Sequence, residues 1–282
     1  MYTLLDSGDF RKLEQIGPYR LVRPSPQAVW RPRLGAKAWQ DVNATYVRSA
    51  GGDGSWTLHS KLPDSWTITI DEQSFLIELT DFGHLGIFAE QRQNWQKLTR
   101  LARDKSKQGP CRVLNLFGYT GGATLAAAAG GAEVVHVDAS KTSNAWAREN
   151  AALRGLADRP IRWITEDVKK FVEREGRRGS TYHGIILDPP SFGRGAKNEV
   201  WKIESDLPPL LASLKDLLVQ DFSFILLSAH SNGYTPIALK NMVHDMVAGT
   251  PGTFTAEEMT VPEAGGDRLL PSGASCLFER QS

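Results

Sequence analysis

The feature that most constrains this chain is a regular alternation of short apolar runs with helix-period segments, which begins near residue 109. The apolar runs are short and rich in β-branched residues, so we predict strands at residues 112–117, 133–137, 161–165, 184–187 and 223–227. Helical periodicity lies between them, at residues 123–129, 142–154, 168–175, 204–219 and 236–247. This alternation is typical of βαβ units and predicts an α/β fold with a parallel sheet.

Two more strand candidates, at residues 253–260 and 274–280, follow without a full helix between them. Because no crossover helix separates them, we expect an antiparallel pair at one edge of the sheet. The sheet of this domain then has seven strands.

The first hundred residues have a different texture, with many Gly, Pro and Trp residues and alternating stretches such as SWTITID at 65–71 and SFLIELT at 74–80. Alternation with a period of two predicts half-buried strands. We therefore predict a small β-rich region over 1–80 and a connecting segment over 81–108 that contains a helix at 91–103. The main domain follows over 109–282.

The composition is that of an ordinary globular protein, with 41% hydrophobic and 23% charged residues. Two cysteines, Cys111 and Cys276, are too few for a disulfide framework and suit a reducing compartment. The six histidines show no metal-ligand spacing, so we predict no metal site. The sequence contains neither an apolar run long enough to span a membrane nor the apolar core of a signal peptide. We therefore expect a cytoplasmic location without membrane partners.

The formal net charge of +1 hides an uneven distribution along the chain. Residues 11–48 contain eight basic residues and two acids, and residues 92–112 contain seven basic residues and one acid. Clustered cations of this kind are found in proteins that bind polyanions, although solvated helix faces also produce them. Contact with nucleic acid requires that the two segments form one surface.

The first predicted strand runs into the glycine-rich stretch NLFGYTGGATL at 115–125, and a small-residue helix follows. Such a turn lets a ligand approach backbone N–H groups at a helix N-terminus. The glycines at 118, 121 and 122 do not fit the G-x-G-x-x-G fingerprint of dinucleotide-binding proteins. The turn therefore predicts a cofactor site of another kind.

Two acids follow the next two predicted strands. Asp138 ends the second strand and can accept hydrogen bonds from both ribose hydroxyls of an adenosine. Asp167 ends the third strand, where it can accept from an adenine amino group while Val168 packs on the ring. Asp167 is equally suited to cap the following helix.

The fourth predicted strand ends in Asp188, Pro189, Pro190, Ser191 and Phe192. The prolines fix the backbone and provide no N–H groups, so the loop is rich in hydrogen-bond acceptors. An amino group or ring N–H of a target base can donate to Asp188 and to the Pro189 carbonyl. Phe192 can stack on a planar base that has been flipped out of its helix.

These loops, taken in order, resemble those of the class I S-adenosylmethionine-dependent methyltransferases, and in particular the ribosomal RNA large-subunit methyltransferase I/K-like group. The resemblance rests on four segments and covers about the last two hundred residues: NLFGYTGGATL at 115–125, VDAS at 137–140 with the helix after it, ED at 166–167 and LDPPSFGRG at 187–195. Upstream, FGHLGIFAEQRQNW at 82–95 is similar to the segment that closes over the cofactor in that group. The first eighty residues do not clearly resemble the RNA-binding domain of some relatives.

The resemblance implies a seven-stranded Rossmann-like methyltransferase sheet, S-adenosylmethionine as the methyl donor, and an RNA base, in ribosomal RNA, as the acceptor. It implies that the cofactor is bound by Arg92, Asn115, Phe117, Tyr119, Thr120, Gly121, Asp138, Ala139, Ser140, Asp167, Val168 and Asp188. Arg92 is the candidate for the methionine carboxylate. Asp188, Pro189 and Phe192 are the candidates at the reacting end.

The cysteine positions bear on the acceptor atom, because methylation of cytosine C5 requires a thiolate that adds to the ring. Cys111 begins the first predicted strand, far from its active end, and Cys276 lies in the last strand pattern, where a buried structural cysteine is expected. His230 stands in the loop after the fifth strand, where cytosine-modifying members of the resembled group carry a cysteine. We therefore favour a nitrogen acceptor, with His230 either a base, a base-contacting group or a loop residue without a catalytic role.

Other functions remain open from sequence alone. A methyltransferase that acts on protein or on a small molecule is the first alternative, since one fold serves many acceptors. A nicotinamide-dependent oxidoreductase is the rival from another enzyme class, although the glycine spacing disfavours it. A non-catalytic RNA-binding module is the third.

Overall fold

The computed structural model describes residues 1–48, 54–195 and 199–281. The chain divides into two compact units. The first unit contains Met1–Arg92 and Thr260–Ser272, and the second contains Gln93–Met259 and Gly273–Ser282. The division at Arg92 falls inside the segment that we predicted to connect the two domains, and the short stretch 260–272 returns to the first unit.

The first unit is rich in β-structure, as the alternating sequence patterns indicate. Its elements are β1 (Tyr2–Gly8), β2 (Arg11–Ile16), β3 (Tyr19–Pro24), α1 (Ala36–Gln40), β4 (Ala44–Arg48), β5 (Gly54–Leu58), β6 (Ser65–Ile70) and β7 (Gln73–Glu78). Strands β1 to β5 form one sheet in sequence order, and β6 pairs with β7 in a separate antiparallel hairpin. The hairpin alternates buried and exposed residues, so that Ile68, Phe75 and Ile77 lie in the core.

A buried ion pair lies within the first sheet. The Glu14 side chain is fully buried, and the Arg23 guanidinium binds both of its oxygens, with Nε 2.7 Å from Oε2 and Nη2 2.8 Å from Oε1. The hydroxyl of Tyr2 donates to Oε1 at 2.9 Å, and Lys12 Nζ lies 3.2 Å from the same oxygen. Burial raises the pKa of Glu14, but these partners outweigh burial and lower it from 4.5 to about 2.

The second unit contains the predicted alternation of strands and helices. Its elements are α2 (Arg92–Ser106), β8 (Arg112–Leu116), α3 (Gly122–Ala129), β9 (Glu133–Asp138), α4 (Lys141–Leu153), β10 (Ile161–Thr165), α5 (Val168–Arg177), β11 (Gly184–Leu187), β12 (Phe192–Arg194), β13 (Val200–Lys202), α6 (Ile203–Lys215), β14 (Phe224–Ala229), α7 (Pro236–Met246), β15 (Gly252–Pro262) and β16 (Leu269–Arg280). The first residue of α2, the end of β15 (260–262) and the start of β16 (269–272) belong to the first unit. The strand order is β10-β9-β8-β11-β14-β16-β15. All of these strands up to β14 run parallel, and β16 is antiparallel to β14. The predicted α/β class, the seven strands and the edge position of the last two are confirmed.

The sheet reverses its direction of growth at β8, which has β9 on one side and β11 on the other. In open α/β sheets, ligands bind at this switch point, outside the carboxyl ends of the strands. The central strands are buried on both faces, and the residues of β11 and β14 are buried throughout. The rigid core therefore fixes where the loops after β8, β9, β11 and β14 begin.

One predicted helix is shorter in the structure than in the sequence analysis. The apolar pattern predicts a helix over 204–219, but α6 ends at Lys215. The backbone N–H of Tyr182 donates to the Leu217 carbonyl, and the N–H of Val219 donates to the Tyr182 carbonyl. These bonds replace the last helical turn, because the backbone groups of residues 217–219 pair with the segment that leads into β11.

In the part of the chain that the structure describes, no helix is long and apolar enough to cross a membrane. The same residues contain no group of three or more His, Cys, Asp or Glu side chains that could hold a metal ion.

Candidate active site

The loop after β8 adopts strained backbone conformations. Phe117 has a φ of 58° and Tyr119 a φ of 47°, both in the left-handed region that residues with a side chain seldom occupy. Gly121, with a φ of 90°, caps α3. Strain of this kind costs about 1–3 kcal/mol per residue and is concentrated at ligand sites. The loop thus has the backbone of a ligand cradle at a helix N-terminus.

Buried polar side chains of β8, α3 and β9 pack beside this loop. A Cβ on Gly118 would lie 2.4 Å from the His136 ring, so only glycine fits there. Burial, with a smaller effect of Arg148, lowers the pKa of His136 to about 3 and keeps its ring neutral. Thr124 Oγ1 lies 2.8 Å from His136 Nδ1 and accepts a hydrogen bond from Asn115 Nδ2 at 2.8 Å. Asn115 is 2% exposed, and its hydrogen bond to Thr124 helps to hold the loop after β8 in place.

Asp138 ends β9 beside the glycine-rich loop. Its Oδ2 accepts the backbone N–H of Tyr119 at 2.8 Å, and its Oδ1 accepts the N–H of Ser140 at 2.8 Å. Burial raises the pKa of Asp138 above its ordinary value, although these two N–H groups act in the opposite direction. Each oxygen has further lone pairs, so the carboxylate can accept two additional donors.

The residues that follow Asp138 and β10 begin helices. The Ser140 hydroxyl caps α4 by accepting the N–H of Ser143 at 3.0 Å, and half-buried Ala139 lies between the two acceptors. Asp167 caps α5 by accepting the N–H of Lys170 at 3.1 Å, and Val168 is buried as the first residue of that helix. The capping alternative for Asp167 is therefore confirmed, and its contact with adenine stays a prediction.

The loop after β11 is joined to the loop after β8 through Trp201. Trp201 lies in β13, and its indole Nε1 donates to the Pro190 carbonyl at 2.7 Å. Its ring packs on Phe117 with the ring centroids 4.7 Å apart. Trp201 was not predicted from the sequence, because the short β12–β13 hairpin gives no periodic signal.

Thr120, in the loop after β8, is buried, and its carbonyl accepts a hydrogen bond from Asn150 Nδ2 at 2.9 Å.

At the end of β11, Asp188 is half-buried and Pro189 is buried. Ser228 Oγ donates to Asp188 Oδ1 at 2.8 Å. Phe192 begins β12 with 52% of its surface exposed, and the Arg194 guanidinium carbon lies 5.9 Å from the centre of its ring. A carboxylate and an exposed aromatic ring thus occupy one loop at the switch point of the sheet.

The comparison with protein families decides the assignment. The model for S-adenosylmethionine-dependent methyltransferases matches residues 46–240, more than half of the chain. The chain belongs to the S-adenosylmethionine-dependent methyltransferase family. The expected family, enzyme class and methyl donor are confirmed, and the oxidoreductase and non-catalytic alternatives are wrong.

A solved relative supports this assignment over nearly the whole chain. The crystal structure of a methyltransferase of this family from Agrobacterium tumefaciens is 40% identical, covers 99% of this chain and 90% of its own, and superposes with a TM-score of 0.93. The fold described above is therefore the fold of a methyltransferase of the family, including its first unit.

Curated relatives match about half of this methyltransferase. The ribosomal RNA large subunit methyltransferase K/L of Alteromonas mediterranea is 35% identical over 153 residues, which are 54% of this chain and 20% of the relative. The ribosomal RNA large subunit methyltransferase I of Aeromonas salmonicida is 36% identical over 138 residues, which are 48% of this chain and 33% of the relative. The chain thus spans a third or less of the length of these two relatives.

Arg92, the remaining predicted cofactor ligand, is the first residue of α2 and belongs to the first unit of the methyltransferase. There its guanidinium forms an ion pair with Asp71, with Nε 2.8 Å from Oδ2. Its role toward the methionine carboxylate stays a prediction.

Acids within each unit neutralise many of the clustered cations. In the second unit, Lys97 pairs with Glu257, Arg100 Nη2 lies 2.7 Å from Glu279, and Lys105 Nζ lies 2.6 Å from Asp221. In the first unit, Arg23 and Lys12 share Glu14, and Arg20 pairs with Asp41. The surplus of residues 92–112 is therefore reduced by acids that are distant along the chain, whereas Glu14 and Asp41 belong to the segment 11–48 and are already in its count.

Proposed function

We propose that this methyltransferase transfers a methyl group to a nitrogen of an RNA base, in ribosomal RNA. The observation that carries the proposal is the loop after β11, where the acceptor carboxylate Asp188 and the exposed ring of Phe192 follow one buried strand. A carboxylate orients an amino group by accepting its N–H, and an exposed aromatic ring stacks on a flipped base. The names of the curated relatives support ribosomal RNA as the substrate class.

The residues of the second unit fit S-adenosylmethionine. Asp138 has the charge and the acceptor capacity for two ribose hydroxyls, and Phe117, Tyr119, Thr120 and Gly121 would hold the ribose and methionine side of the cofactor. Asp167 would accept from the adenine amino group, next to the buried apolar side chain of Val168. When bound, S-adenosylmethionine supplies an electrophilic methyl group on a sulfonium, so the enzyme has chiefly to align the acceptor.

The chain's own residues then have two tasks. Asp188 and the Pro189 carbonyl would accept the N–H groups of the base and fix the direction of its nitrogen lone pair. Asp188 would also receive the proton that the acceptor nitrogen loses. Phe192 would hold the plane of the ring by stacking.

The substrate class is tested by incubating the enzyme with labelled S-adenosylmethionine and either total RNA or a protein extract. We expect label in RNA, and chiefly in the large ribosomal species. Label that enters only protein or only small molecules would contradict the proposal and favour the alternative acceptors.

Phe192→Ala is expected to weaken the interaction with the RNA substrate. Loss of one base-stacking contact costs about 1–3 kcal/mol, which corresponds to a rise in KM of about 5- to 150-fold. The affinity for S-adenosylmethionine should stay near that of the parent. Ile237→Ala, which truncates an apolar side chain that is 72% exposed on α7, is the matched control. An unchanged KM in Phe192→Ala would refute stacking.

The cysteine variants test the nitrogen acceptor. Cys276 is fully buried in the core of the second unit, and burial raises the pKa of its thiol to about 11. Burial likewise raises the pKa of Cys111. Because thiolates are the nucleophiles in cytosine methylation, neither thiol is activated for that chemistry. The double variant Cys111→Ser, Cys276→Ser, if folded by circular dichroism, should keep the parent's kcat. A folded variant without activity would argue for a carbon acceptor.

A further inference from the structure

The end of β14 and the loop after it contact the loop after β11 through their side chains. Ser228 Oγ donates to Asp188 Oδ1 at 2.8 Å, and His230 Nε2 lies 3.5 Å from the same oxygen. Farther along the same loops, Ser191 Oγ and Ser231 Oγ are 2.6 Å apart. These contacts are possible because β11 and β14 are neighbouring parallel strands, which pair as far as Leu187 and Leu227 and end at the same edge of the sheet.

His230 and Asp188 contact each other at a partly exposed position, whereas Ser228, which also binds Asp188, is buried. Ser228 is 2% exposed, whereas the side chains of Asp188 and His230 are 26% and 31% exposed. The carboxylate is therefore anchored from the core by a hydroxyl and approached from the solvent side by an imidazole. A hydroxyl donor together with an imidazole nitrogen near the same oxygen restricts the rotation of a carboxylate more than the hydroxyl alone does.

The other side of the imidazole is confined by β16. A Cβ on Gly273 would lie 3.0 Å from His230 Nδ1 and 2.8 Å from the Ala229 carbonyl oxygen, so glycine lets β16 approach this closely. His230 thus has Nδ1 against Gly273 and Nε2 toward Asp188. This placement differs from that of a loop histidine with local contacts only.

We propose that His230, together with Ser228, is a positioning residue for methyl transfer, which holds the Asp188 carboxylate in the orientation that receives the acceptor N–H. This inference rests on the proposed function of Asp188. His230 Nε2 faces Asp188 Oδ1 at 3.5 Å, from where its N–H would donate to the carboxylate, and Ser228 donates its hydroxyl to the same atom. The side chains at this position therefore support orientation of a nitrogen acceptor.

Three substitutions separate positioning from a purely structural role. The amide of glutamine reaches about as far as Nε2 of histidine, whereas the amide of asparagine reaches only about as far as Nδ1. His230→Asn and Ser228→Ala should each lower kcat by about ten- to a hundredfold, because small displacements of a catalytic group have effects of this size. His230→Gln should restore most of the rate. The affinity for S-adenosylmethionine, measured by calorimetry, should stay within about twofold of the parent in all three variants, because neither Ser228 nor His230 is among the residues expected to hold the cofactor.

The control is His244→Asn, which changes a largely exposed histidine on α7. In the double variant Ser228→Ala, His230→Asn, the losses should be less than multiplicative, because both residues act on one oxygen. Thermal unfolding of each variant checks that it is folded, and the glutamine variant provides the comparison if the asparagine variant is unstable.

An unchanged kcat in folded His230→Asn would overturn the inference, and so would equal losses in the asparagine and glutamine variants. A loss confined to S-adenosylmethionine affinity would also overturn it. The parent enzyme distinguishes these results from failure of the proposed function: if the parent methylates protein and not RNA, the substrate proposal is wrong, and the variants are then compared on the acceptor that the parent uses.

Discussion

Replacing Asp138 with alanine is expected to weaken S-adenosylmethionine binding by about a hundredfold or more. Hydrogen bonds to a charged group contribute about 1.5–3 kcal/mol each, and the carboxylate would lose two of them to the ribose hydroxyls. The substitution also removes the acceptor for the N–H of Tyr119, whose backbone conformation is strained. The measurement is isothermal titration of the variant with S-adenosylmethionine.

Asp158→Ala is the matched control, because this exposed aspartate lies in the same unit between α4 and β10. The control should bind the cofactor like the parent. Since burial raises the pKa of Asp138, affinity in the parent should decline at a higher pH during acidification than an ordinary aspartate would allow. Binding by Asp138→Ala as tight as that of the parent would remove Asp138 from the cofactor site.

Replacing Glu14 with glutamine is expected to lower the free energy of unfolding by about 3–5 kcal/mol, the usual cost of breaking a buried ion pair. The amide keeps the shape of the carboxylate but leaves the Arg23 guanidinium, only 11% exposed, without its counter-charge. The measurement is urea unfolding followed by tryptophan fluorescence. Glu72→Gln, at an exposed glutamate of the first unit, should unfold like the parent.

The pH dependence gives this prediction a definite sign. The pKa of Glu14 is about 2 in the folded protein against an ordinary 4.5, so the pair's contribution is fully present above about pH 4.5. The difference in stability between the parent and Glu14→Gln should shrink as the pH falls from 4.5 toward 2. The variant Glu14→Gln, Arg23→Met should be less destabilised than the sum of the two single variants, because neither charge is left alone. A difference of less than about 1 kcal/mol at pH 7 would be typical of a surface pair and would contradict the assignment.

The architecture of the second unit is readable from the sequence because hydrophobic periodicity is set by local geometry. The strand over 161–165 and the strand over 184–187 have the predicted bounds, and the loops that follow them begin at the predicted residues. A strand that is buried on both faces is a short apolar run, and its end is marked by the first polar residue. Asp138 and Asp188 are conspicuous for this reason, whereas Asp167 follows the polar residues Thr165 and Glu166 after a strand that is only partly buried.

The contacts that build the site depend on tertiary structure and were not predictable in this way. His136 and Thr124 belong to a strand and a helix that are ordinary in pattern, and their pairing with Asn115 follows from the register of β8 and β9. The only sequence signal is a polar residue within an apolar element. Trp201 reaches Pro190 through a hairpin of two three-residue strands, which is too short for any period to register.

Counts of charge along the chain do not by themselves locate a cationic surface. The counts of basic residues over 11–48 and 92–112 take no account of acids elsewhere in the chain, and Glu257, Glu279 and Asp221 are distant in sequence from the cations that they neutralise. Ion pairs between distant segments are specified by the fold, so a local surplus does not establish a cationic surface.

We propose that the loop after β11 presents a base nitrogen for methylation. Mass spectrometry of nucleosides from RNA methylated by the pure enzyme tests it most directly, with Asp188→Ala measured in parallel. We expect an N-methylated nucleoside, formed by the parent and largely lost with Asp188→Ala. A C5-methylated pyrimidine, or an N-methylated product formed equally well by Asp188→Ala, would contradict it.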